Sequence, residues 1–203
     1  MGNNVLVREA FVTLVSSIDY LKPAIVLQES LKAVNSKFPL VIAITKDLYT
    51  FDTLKILNRY GCLYEVINRL EYSDEVKLLA KDCPSVLNTA SKIELFRLCD
   101  YTKFVYLDAD CIVCENVDEL FDYPDGSKIG WPGELMGQTC CMVFCPNSYR
   151  YIYYKILVQQ VLAYDGNLLG NLWMQCKHPS FTIPITYGNE VHSRECKIFH
   201  FCN

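Results

Sequence analysis

Two segments near the start of the chain, Phe11 to Val15 and Val41 to Thr45, are rich in apolar and β-branched residues. Short runs of this composition are typical of strands that are buried on both faces of a sheet. Pro23 is well placed to open a helix between them. Apolar residues then recur near helical period at Ile25, Leu27, Leu31 and Val34. The chain is therefore predicted to begin as strand, helix and strand.

The alternation continues along the chain. Thr50 to Tyr60 has the pattern of a second helix, with Gly61 at a natural stop position, and Cys62 to Ile67 that of a third strand. The later predicted elements are helices at Asn88 to Cys99, Asp118 to Tyr123 and Tyr149 to Ala163, and strands at Phe104 to Leu107, Cys140 to Cys145 and Ile198 to Phe201. Glu71 to Val86 is the least patterned stretch, and we expect it to be a mobile loop at the rim of a site.

This order of elements predicts an α/β fold with a mostly parallel central sheet flanked by helices. The 203 residues contain no repeat, low-complexity tract or linker, and 51% of them are hydrophobic. That length and composition suffice for one sizeable core, so we expect a single domain over 1–203.

The charge of the chain argues against nucleic acid as a partner. The formal net charge is -4 at pH 7, the pI is near 5.4, and the Lys and Arg residues are scattered. The N-terminus reaches Arg8 and Glu9 before any long apolar stretch, and no apolar run approaches the length of a membrane span. We expect a cytoplasmic protein without a membrane span, for which a nucleotide remains a suitable ligand.

Eleven cysteines are present, but an odd number in a chain of this size does not favour a disulfide framework. Cys111 and Cys114 have Cys-x-x-Cys spacing, yet no second Cys or His pair at zinc-site spacing accompanies them. We interpret the cysteines as reduced thiols packed in the core, which agrees with a cytosolic location.

The motif Asp108-Ala109-Asp110 directly follows the predicted strand Phe104 to Leu107. In open α/β sheets, ligands bind outside the carboxyl ends of the strands. If the chain stays extended, the two carboxylates point the same way and can hold one hard cation, Mg²⁺ or Mn²⁺, with positions left for diphosphate oxygens. The alternative is that these carboxylates are solvated, or cap the next helix or turn. The residues alone leave both interpretations open.

Several segments, in this order, resemble the glycogenin-like glycosyltransferases of family 8. They are Phe11 to Leu14 with Asp19-Tyr20 and the following helix, Lys92 to Phe121 with Tyr106 to Asp110 and Asn116 to Phe121, Trp131-Pro132, Asp165-Gly166 and His200-Phe201. The resemblance implies a single GT-A domain with a Rossmann-like sheet. It also implies metal-dependent transfer of a sugar, of the hexosyl type and with retention of configuration, from a UDP-sugar to a glycan or glycoprotein acceptor.

The resemblance assigns roles to individual residues. Leu14, Ser16, Ser17 and Tyr20 would line the uridine pocket, with Tyr20 in contact with the base. Lys92, Ala109 and Gln138 would contact the donor. Asp108 and Asp110 would hold Mn²⁺ or Mg²⁺, and His200 would complete the coordination. Considered without the family, His200 in an apolar strand is more often a hydrogen-bonded core residue, and Tyr20 a packed aromatic.

The chain departs from the family at three places. Gln138-Thr139-Cys140 stands where the family usually carries Asn-Ser-Gly or Asp-Ser-Gly, so the contacts with the donor sugar are expected to differ. Leu168 and Leu169 replace an Asp-Gln pair that lies near the anomeric carbon, which leaves Asp165 as the neighbouring catalytic candidate beside Asp108 and Asp110. The sequence ends at Asn203, before a family Gly-x-Lys-Pro-Trp segment, which fits either a minimal enzyme or the N-terminal part of a longer protein.

Three functions are compatible with parts of this sequence. We favour an active UDP-sugar transferase. Short members of the family also occur in large DNA viruses, and a chain from such a source would act in the host cytoplasm. A UDP-sugar-binding protein with little or no turnover is the alternative that Leu168 and Leu169 suggest. A nucleotide-handling enzyme on another α/β fold, such as a dehydrogenase or sugar nucleotidyltransferase, is disfavoured. The first strand runs into Ser16-Ser17-Ile18, without the Gly-rich turn of a phosphate cradle.

Overall fold

A computed structural model of the chain describes residues 8–79, 84–129, 138–158, 182–183 and 197–200. The strands in this part of the chain are β1 (Glu9–Val15), β2 (Leu40–Thr45), β3 (Leu63–Ile67), β4 (Lys103–Leu107), β5 (Cys111–Val113), β6 (Lys128–Ile129), β7 (Gln138–Phe144), β8 (Thr182–Ile183) and β9 (Ile198–His200). The α-helices are α1 (Leu21–Ala33), α2 (Phe51–Arg59), α3 (Asp74–Leu79) and α4 (Ser148–Leu157). Runs of 3₁₀ turns occupy Ile18–Tyr20, Lys46–Leu48, Pro84–Arg97 and Asp118–Asp122.

The main sheet has the strand order β3-β2-β1-β4-β7-β6-β8, and β5 pairs with β9 in a small second sheet. Strands β3, β2, β1 and β4 are parallel to one another, whereas β7 is antiparallel to both β4 and β6. β8 is parallel to β6. The predicted α/β fold with a mostly parallel sheet is confirmed.

The direction in which strands are added reverses at β1. β2 and β3 lie on one side of β1, whereas β4 lies on the other side. Such a reversal opens a crevice at the carboxyl ends of the two strands that flank it. Ser16 follows β1 and Asp108 follows β4, so the two segments predicted to bind the donor lie at the mouth of the same crevice.

The sheet is covered by two apolar layers, because alternate side chains of each strand face opposite sides. Phe11 and Val15 of β1 pack in the cluster that contains residues of α1 and α2. Val12 and Leu14 pack in the other cluster, with residues of the 3₁₀ segment Pro84–Arg97 and of α4. Full burial of one large apolar side chain contributes about 1.5–3 kcal/mol to stability, so both faces fix the sheet.

Local sequence signals explain several element ends. The Thr50 hydroxyl accepts a hydrogen bond from the Thr53 N–H at 3.3 Å and caps α2. Gly61, just beyond that helix, has φ +60°, a left-handed backbone that favours glycine. The Asn147 side chain accepts from the N–H groups of Tyr149 and Arg150 at the start of α4. α1 begins at Leu21, so Pro23 stands inside its first turn, where a missing N–H costs no helical hydrogen bond.

Three expectations need correction. The helix predicted over Asn88 to Cys99 is a 3₁₀ run, Pro84–Arg97, in which every side chain from Ala90 to Phe96 is buried, so contacts on all sides override a one-faced helical pattern. The expected loop Glu71 to Val86 contains α3, whose Lys77 forms ion pairs with Glu71 and Asp74. Strands β5, β6 and β8 were not predicted, because two or three residues give no periodic signal.

The end of the predicted helix beyond Leu157 lies largely outside the described residues. Within the described part of the chain, no helix combines the length and the apolar character that crossing a bilayer requires.

Candidate functional site

The Asp108-Ala109-Asp110 motif forms a tight turn between β4 and β5. The Asp108 N–H donates to the Cys140 carbonyl at 2.9 Å, and the Cys111 N–H donates back to the Asp108 carbonyl at 3.1 Å. The chain therefore does not stay extended, and the expectation that the two carboxylates align through strand geometry is wrong. It is the turn, held against β7, that places the motif at the carboxyl edge of the sheet.

Asp108 is held by two donors on the same oxygen. Lys92 Nζ lies 2.8 Å from Asp108 Oδ1, and the Tyr106 hydroxyl donates to that oxygen at 2.6 Å. The Lys92 side chain is 6% exposed and that of Asp108 is 24% exposed, and the ammonium also lies 4.6 Å from the centroid of the Tyr106 ring. Burial raises the pKa of Tyr106 well above its usual value, with a further contribution from Asp108, so the phenol stays protonated and donates.

Asp110 lines a cavity of about 640 Å³ that opens between the start of α1 and β5. The lining residues are Asp19, Tyr20, Lys22, Pro23, Val26, Ala109, Asp110, Cys111 and Ile112. The size falls in the range of small-molecule sites in proteins. Two sequence-predicted segments, the Asp19-Tyr20 turn and the Asp-x-Asp motif, thus form the walls of one cavity.

Carboxylates surround Tyr20 in the cavity wall, where Asp19 and Asp110 line the cavity together with Lys22. Tyr20 is 38% exposed, and its pKa is raised first by partial burial and then by the nearby carboxylates of Asp110, Asp108 and Asp19. Carboxylates grouped in this way attract a cation.

The other residues predicted for the uridine pocket lie beside the cavity and are not part of its lining. Leu14 is buried in the layer that contains the 3₁₀ segment Pro84–Arg97. Ser16 is buried, and the Ser17 hydroxyl donates to Asp19 Oδ2 at 3.4 Å. Ser16 and Ser17 therefore form the connection that leads from β1 to the wall of the cavity.

His200 and Gln138 are placed by their backbones. The Cα of His200 pairs with Cys111 across the β5–β9 ladder, one residue beyond Asp110. Gln138 begins β7, whose Cys140 carbonyl receives the Asp108 N–H. The topology thus brings both positions to the motif. For these two residues the structure describes the backbone alone.

The donor set suits a hard cation that shares its coordination with a ligand. In the described part of the chain, no three His, Cys, Asp or Glu side chains form a group that could hold a metal ion. Mg²⁺ and its analogues commonly use one or two carboxylates and complete their shell with substrate phosphates and water. Two carboxylates at one turn, with the His200 strand alongside, fit that requirement.

Sequence reasoning missed a second group of polar residues at the same edge. Arg69, which follows β3, donates from Nε to Asp47 Oδ1 at 3.1 Å, from Nη2 to Asp47 Oδ2 at 2.6 Å and from Nη2 to the Ser16 carbonyl. The pKa of Asp47 is lowered, chiefly by its hydrogen bonds with Arg69. Arg69 stands two residues beyond β3, whose side chains are mostly only partly buried, so it lacks the signal that identified Asp108, a charged residue directly after a fully apolar run.

Glu94 is a buried carboxylate that the sequence did not single out. Its Oε2 accepts from the Asn68 N–H at 3.3 Å, from Asn68 Nδ2 at 2.9 Å and from Arg97 Nε at 3.2 Å, and its Oε1 accepts from the Tyr151 hydroxyl at 2.7 Å. Glu94 therefore joins the end of β3, the 3₁₀ segment Pro84–Arg97 and α4.

The Asn116-Val117-Asp118 segment, which contributed to the resemblance, has structural contacts. Asn116 Nδ2 donates to the carbonyls of Val34 and Asn35, and Asp118 accepts from the Ser36 hydroxyl at 2.6 Å. Asn35 has φ 55°, a left-handed backbone in which asparagine is enriched. The segment fixes the turn after α1, away from the cavity.

The cysteines in the described part of the chain are free thiols, and burial raises the pKa of Cys111 and Cys141 well above the usual value. Those two thiols are therefore poor nucleophiles.

Asp165, Leu168 and Leu169 lie outside the described residues, and their predicted roles stay predictions.

Comparison with known proteins connects this geometry to one family. The model of glycosyl transferase family 8 matches residues 11–130. Glycogenin-1 of Caenorhabditis elegans is 30% identical over 167 residues, which make up 81% of this chain and 38% of that protein. Galactinol synthase 3 of Arabidopsis thaliana is 35% identical over 121 residues, or 59% of this chain and 35% of that protein. The chain thus spans roughly a third of the length of these curated relatives.

Solved structures share the fold at low sequence identity. The galactosyltransferase LgtC, in complex with donor and acceptor sugar analogues, matches with a TM-score of 0.64 and 14% identity, covering 96% of this chain and 87% of that one. The glycosyltransferase GlyE of Streptococcus pneumoniae matches with a TM-score of 0.63 and 12% identity, covering 96% of this chain and 55% of that one. At such identities the likeness establishes the fold alone.

Proposed function

Because this chain belongs to glycosyl transferase family 8, we propose that it transfers a sugar from a UDP-linked donor to a glycan or protein acceptor in a reaction that depends on a divalent metal. The observation that carries the proposal is the acidic cavity formed by Asp110, Asp19 and Tyr20. Carboxylates alone repel a nucleotide diphosphate, so the cavity favours a diphosphate that binds together with a cation.

Each residue of the site has a proposed task. Asp108 and Asp110 would hold Mn²⁺ or Mg²⁺, with His200 as the third ligand from the neighbouring strand β9. Held by these residues, the cation would neutralise the charge that develops on the leaving diphosphate. Tyr20 offers an aromatic face to the uracil ring. Lys92 keeps Asp108 in position, a support that the contact between the two side chains makes possible.

Transfer breaks the bond between the anomeric carbon and a diphosphate oxygen, whose electron pair leaves with UDP. A new bond forms from the anomeric carbon to the acceptor oxygen, whose proton passes to the departing diphosphate. Retention of configuration, as in the family, requires stabilisation of positive charge at the anomeric carbon, which the aliphatic Leu168 and Leu169 cannot supply. We assign this task to Asp165 and leave contact with the donor sugar to Gln138.

The test is release of UDP from UDP-sugars with an acceptor panel, in Mn²⁺ and in chelator, by the unsubstituted chain and by Asp110→Ala. Release that needs Mn²⁺ and is lost in Asp110→Ala is expected. Calorimetry should show that UDP itself binds tightly only with the metal, because the uncompensated diphosphate faces Asp108 and Asp110. Equal affinity for UDP in Mn²⁺ and in chelator would contradict the proposal.

A donor-binding protein with little turnover is the second candidate, since Leu168 and Leu169 occupy the positions of the family's Asp-Gln pair. A protein of this kind would bind UDP in a metal-dependent way. It would release UDP from each UDP-sugar no faster than the Asp110→Ala variant does. The same experiment separates the two functions.

The apolar pair at Leu168 and Leu169 also bears on the donor sugar. A site built to bond a hydroxyl rejects a sugar that lacks it, so an apolar site favours a less polar sugar such as a deoxyhexose. Turnover of UDP-rhamnose above that of UDP-glucose and UDP-galactose is expected, with UDP-glucose as a binder or poor substrate. A clear preference for UDP-glucose that Asp165→Asn leaves unchanged would refute both the donor preference and the task assigned to Asp165.

A further inference from the structure

One side chain joins the carboxyl ends of three parallel strands. Arg69 follows β3, and its guanidinium reaches Thr45 Oγ1 at the end of β2 at 3.3 Å and the Ser16 carbonyl just beyond β1. Both oxygens of Asp47 accept from the same guanidinium, at 2.6 and 3.1 Å. A planar fork bound at two points has one orientation, so the contact with Ser16 is fixed in direction as well as distance.

The Ser16 carbonyl is the first acceptor of the connection that ends in the cavity wall. Three residues separate Ser16 from Tyr20. The Tyr20 N–H donates to the carbonyl of Ser17, the first of them, at 3.1 Å. The Ser17 hydroxyl donates to Asp19 Oδ2, and Asp19 and Tyr20 line the cavity. A short connection transmits a shift of its first residue to its last, so the position of Tyr20 depends on the Arg69 contact.

Arg69 is itself presented from a fixed backbone. The Asn68 N–H and side chain donate to the buried carboxylate of Glu94, and the Leu70 N–H donates to the Ser91 hydroxyl at 3.0 Å. Both residues adjacent to Arg69 are therefore tied to buried side chains of the 3₁₀ segment Pro84–Arg97, those of Glu94 and Ser91. The guanidinium thus extends from a rigid support to the Ser16 connection.

The position of the Arg69–Asp47 pair suits a role in orienting the backbone at Ser16 better than a role in stabilising the fold or in binding an anionic ligand. The two side chains are 31% and 48% exposed, and ion pairs at that exposure contribute little to the free energy of folding. Arg69 is not among the residues that line the cavity, and Asp47 neutralises its charge, which makes it a poor ligand for phosphate.

We propose that Arg69 is a positioning residue for nucleotide recognition: paired with Asp47, it holds the Ser16–Tyr20 connection in the conformation in which the site distinguishes uracil from other bases. This role rests on the proposed function, because it takes UDP as the nucleotide bound beside Tyr20. Arg69 acts on the base side of the site, whereas the diphosphate and the metal are held by the Asp108–Asp110 turn.

The test compares three probes in Mn²⁺ by calorimetry: UDP, ADP and inorganic pyrophosphate. In Arg69→Lys, which keeps the charge but loses the fork, the preference for UDP over ADP should fall about tenfold. Affinity for pyrophosphate should stay within about twofold, since that probe touches only the metal and phosphate side. A purely structural role would weaken all three probes together, and thermal unfolding of each variant records any loss of stability.

The matched control is Glu29→Gln. It removes the charge that pairs Glu29 with Lys32 on α1, an ion pair of 2.8 Å in which both side chains are about half exposed, and should leave the UDP-to-ADP ratio unchanged. If Arg69→Lys does not fold, Asp47→Asn releases the guanidinium from its partner while retaining the arginine, and the same fall in preference is expected. A preference for UDP that survives both substitutions overturns the role of Arg69 alone. Failure of the unsubstituted chain to bind UDP in Mn²⁺ overturns the proposed function together with it.

Discussion

Asp108 and Asp110 are two residues apart but have different surroundings. Asp108 is bound through Oδ1 by a buried ammonium and a phenol, whereas Asp110 lines the cavity. The carboxylate of Asp108 is therefore part of the packed edge of the sheet as well as a candidate metal ligand. At the scale of single residues, the two acids of one motif should differ in what their loss does to the protein.

Asp108→Ala should destabilise the fold by about 3 kcal/mol, because it removes the carboxylate from the buried Lys92 ammonium. Asp110→Ala should cost less than about 1 kcal/mol, as expected for a partly exposed residue at a cavity wall. Urea unfolding of both variants gives the comparison. Both should lose metal-dependent binding of UDP, so an equal loss of stability in the two would show that Lys92 does not depend on Asp108.

The pKa of Tyr20 should respond to the charge of the carboxylates around the cavity. Asp110→Asn should lower the raised pKa of Tyr20, since one opposing negative charge is removed while the contribution of burial remains. Saturating Mg²⁺ should lower it in the unsubstituted chain for the same electrostatic reason. ¹³C NMR of tyrosine-labelled protein measures the pKa, with Tyr20→Phe to assign the resonance. Asp122→Asn, at an exposed residue outside the cavity, is the control, and an unchanged pKa in Asp110→Asn would contradict this account of the potential.

At the scale of elements, the 3₁₀ segment Pro84–Arg97 supports both halves of the site. Its Lys92 holds Asp108 of the metal motif, while its Ser91 and Glu94 hold the backbone on either side of Arg69. Because all three residues are buried, their contacts are shielded from water and directional. One element thus sets the distance between the predicted metal motif and the Ser16–Tyr20 connection.

Glu94→Ala should destabilise the fold by about 3 kcal/mol, because Asn68, Arg97 and Tyr151 lose a buried acceptor. Glu94→Gln should cost less, since an amide oxygen can still accept from Asn68. Hydrogen exchange at the Asn68 and Leu70 amides, with denaturant unfolding, measures both effects. Glu29→Ala, at an exposed carboxylate, should change stability by less than about 1 kcal/mol; equal protection of Asn68 in all variants would remove Glu94 from this role.

At the scale of the whole molecule, family membership and fold are established, while the acceptor is a matter of proposal. The match to glycogenin-1 covers 81% of this chain but 38% of that protein. The activity of glycogenin-1 as a whole protein is therefore not assigned to this chain. The described residues that are proposed to bind the donor and the metal lie at one edge of the sheet.

The chain should not glycosylate itself, because the stretch between Tyr187 and Lys197 is short and contains no tyrosine. A separate acceptor is therefore expected. Intact-mass measurement after incubation with UDP-sugars and Mn²⁺ checks this directly, with Asp110→Ala as the inactive control. A ladder of added hexose masses on the unsubstituted chain, absent from the control, would contradict the prediction.

The sequence by itself determined the alternation of strands and helices, the position of Asp108 and Asp110 after a buried strand, and the family. These follow from local patterns, since burial on both faces selects β-branched runs, and a motif is a property of adjacent residues. The ends of α2 were equally readable, because Thr50 and Gly61 act on their own neighbours.

Only the tertiary structure decided which distant residues meet. The turn at Asp108, the pairing of β5 with β9 and the bond from Arg69 to Ser16 join residues far apart in the chain, and no local pattern encodes such a contact. The same holds for Lys92, which the sequence assigned to the donor and the fold places on Asp108. Burial also overrode helical periodicity between Ala90 and Phe96, because side chains that are all buried gain more from their contacts than from an amphipathic pattern.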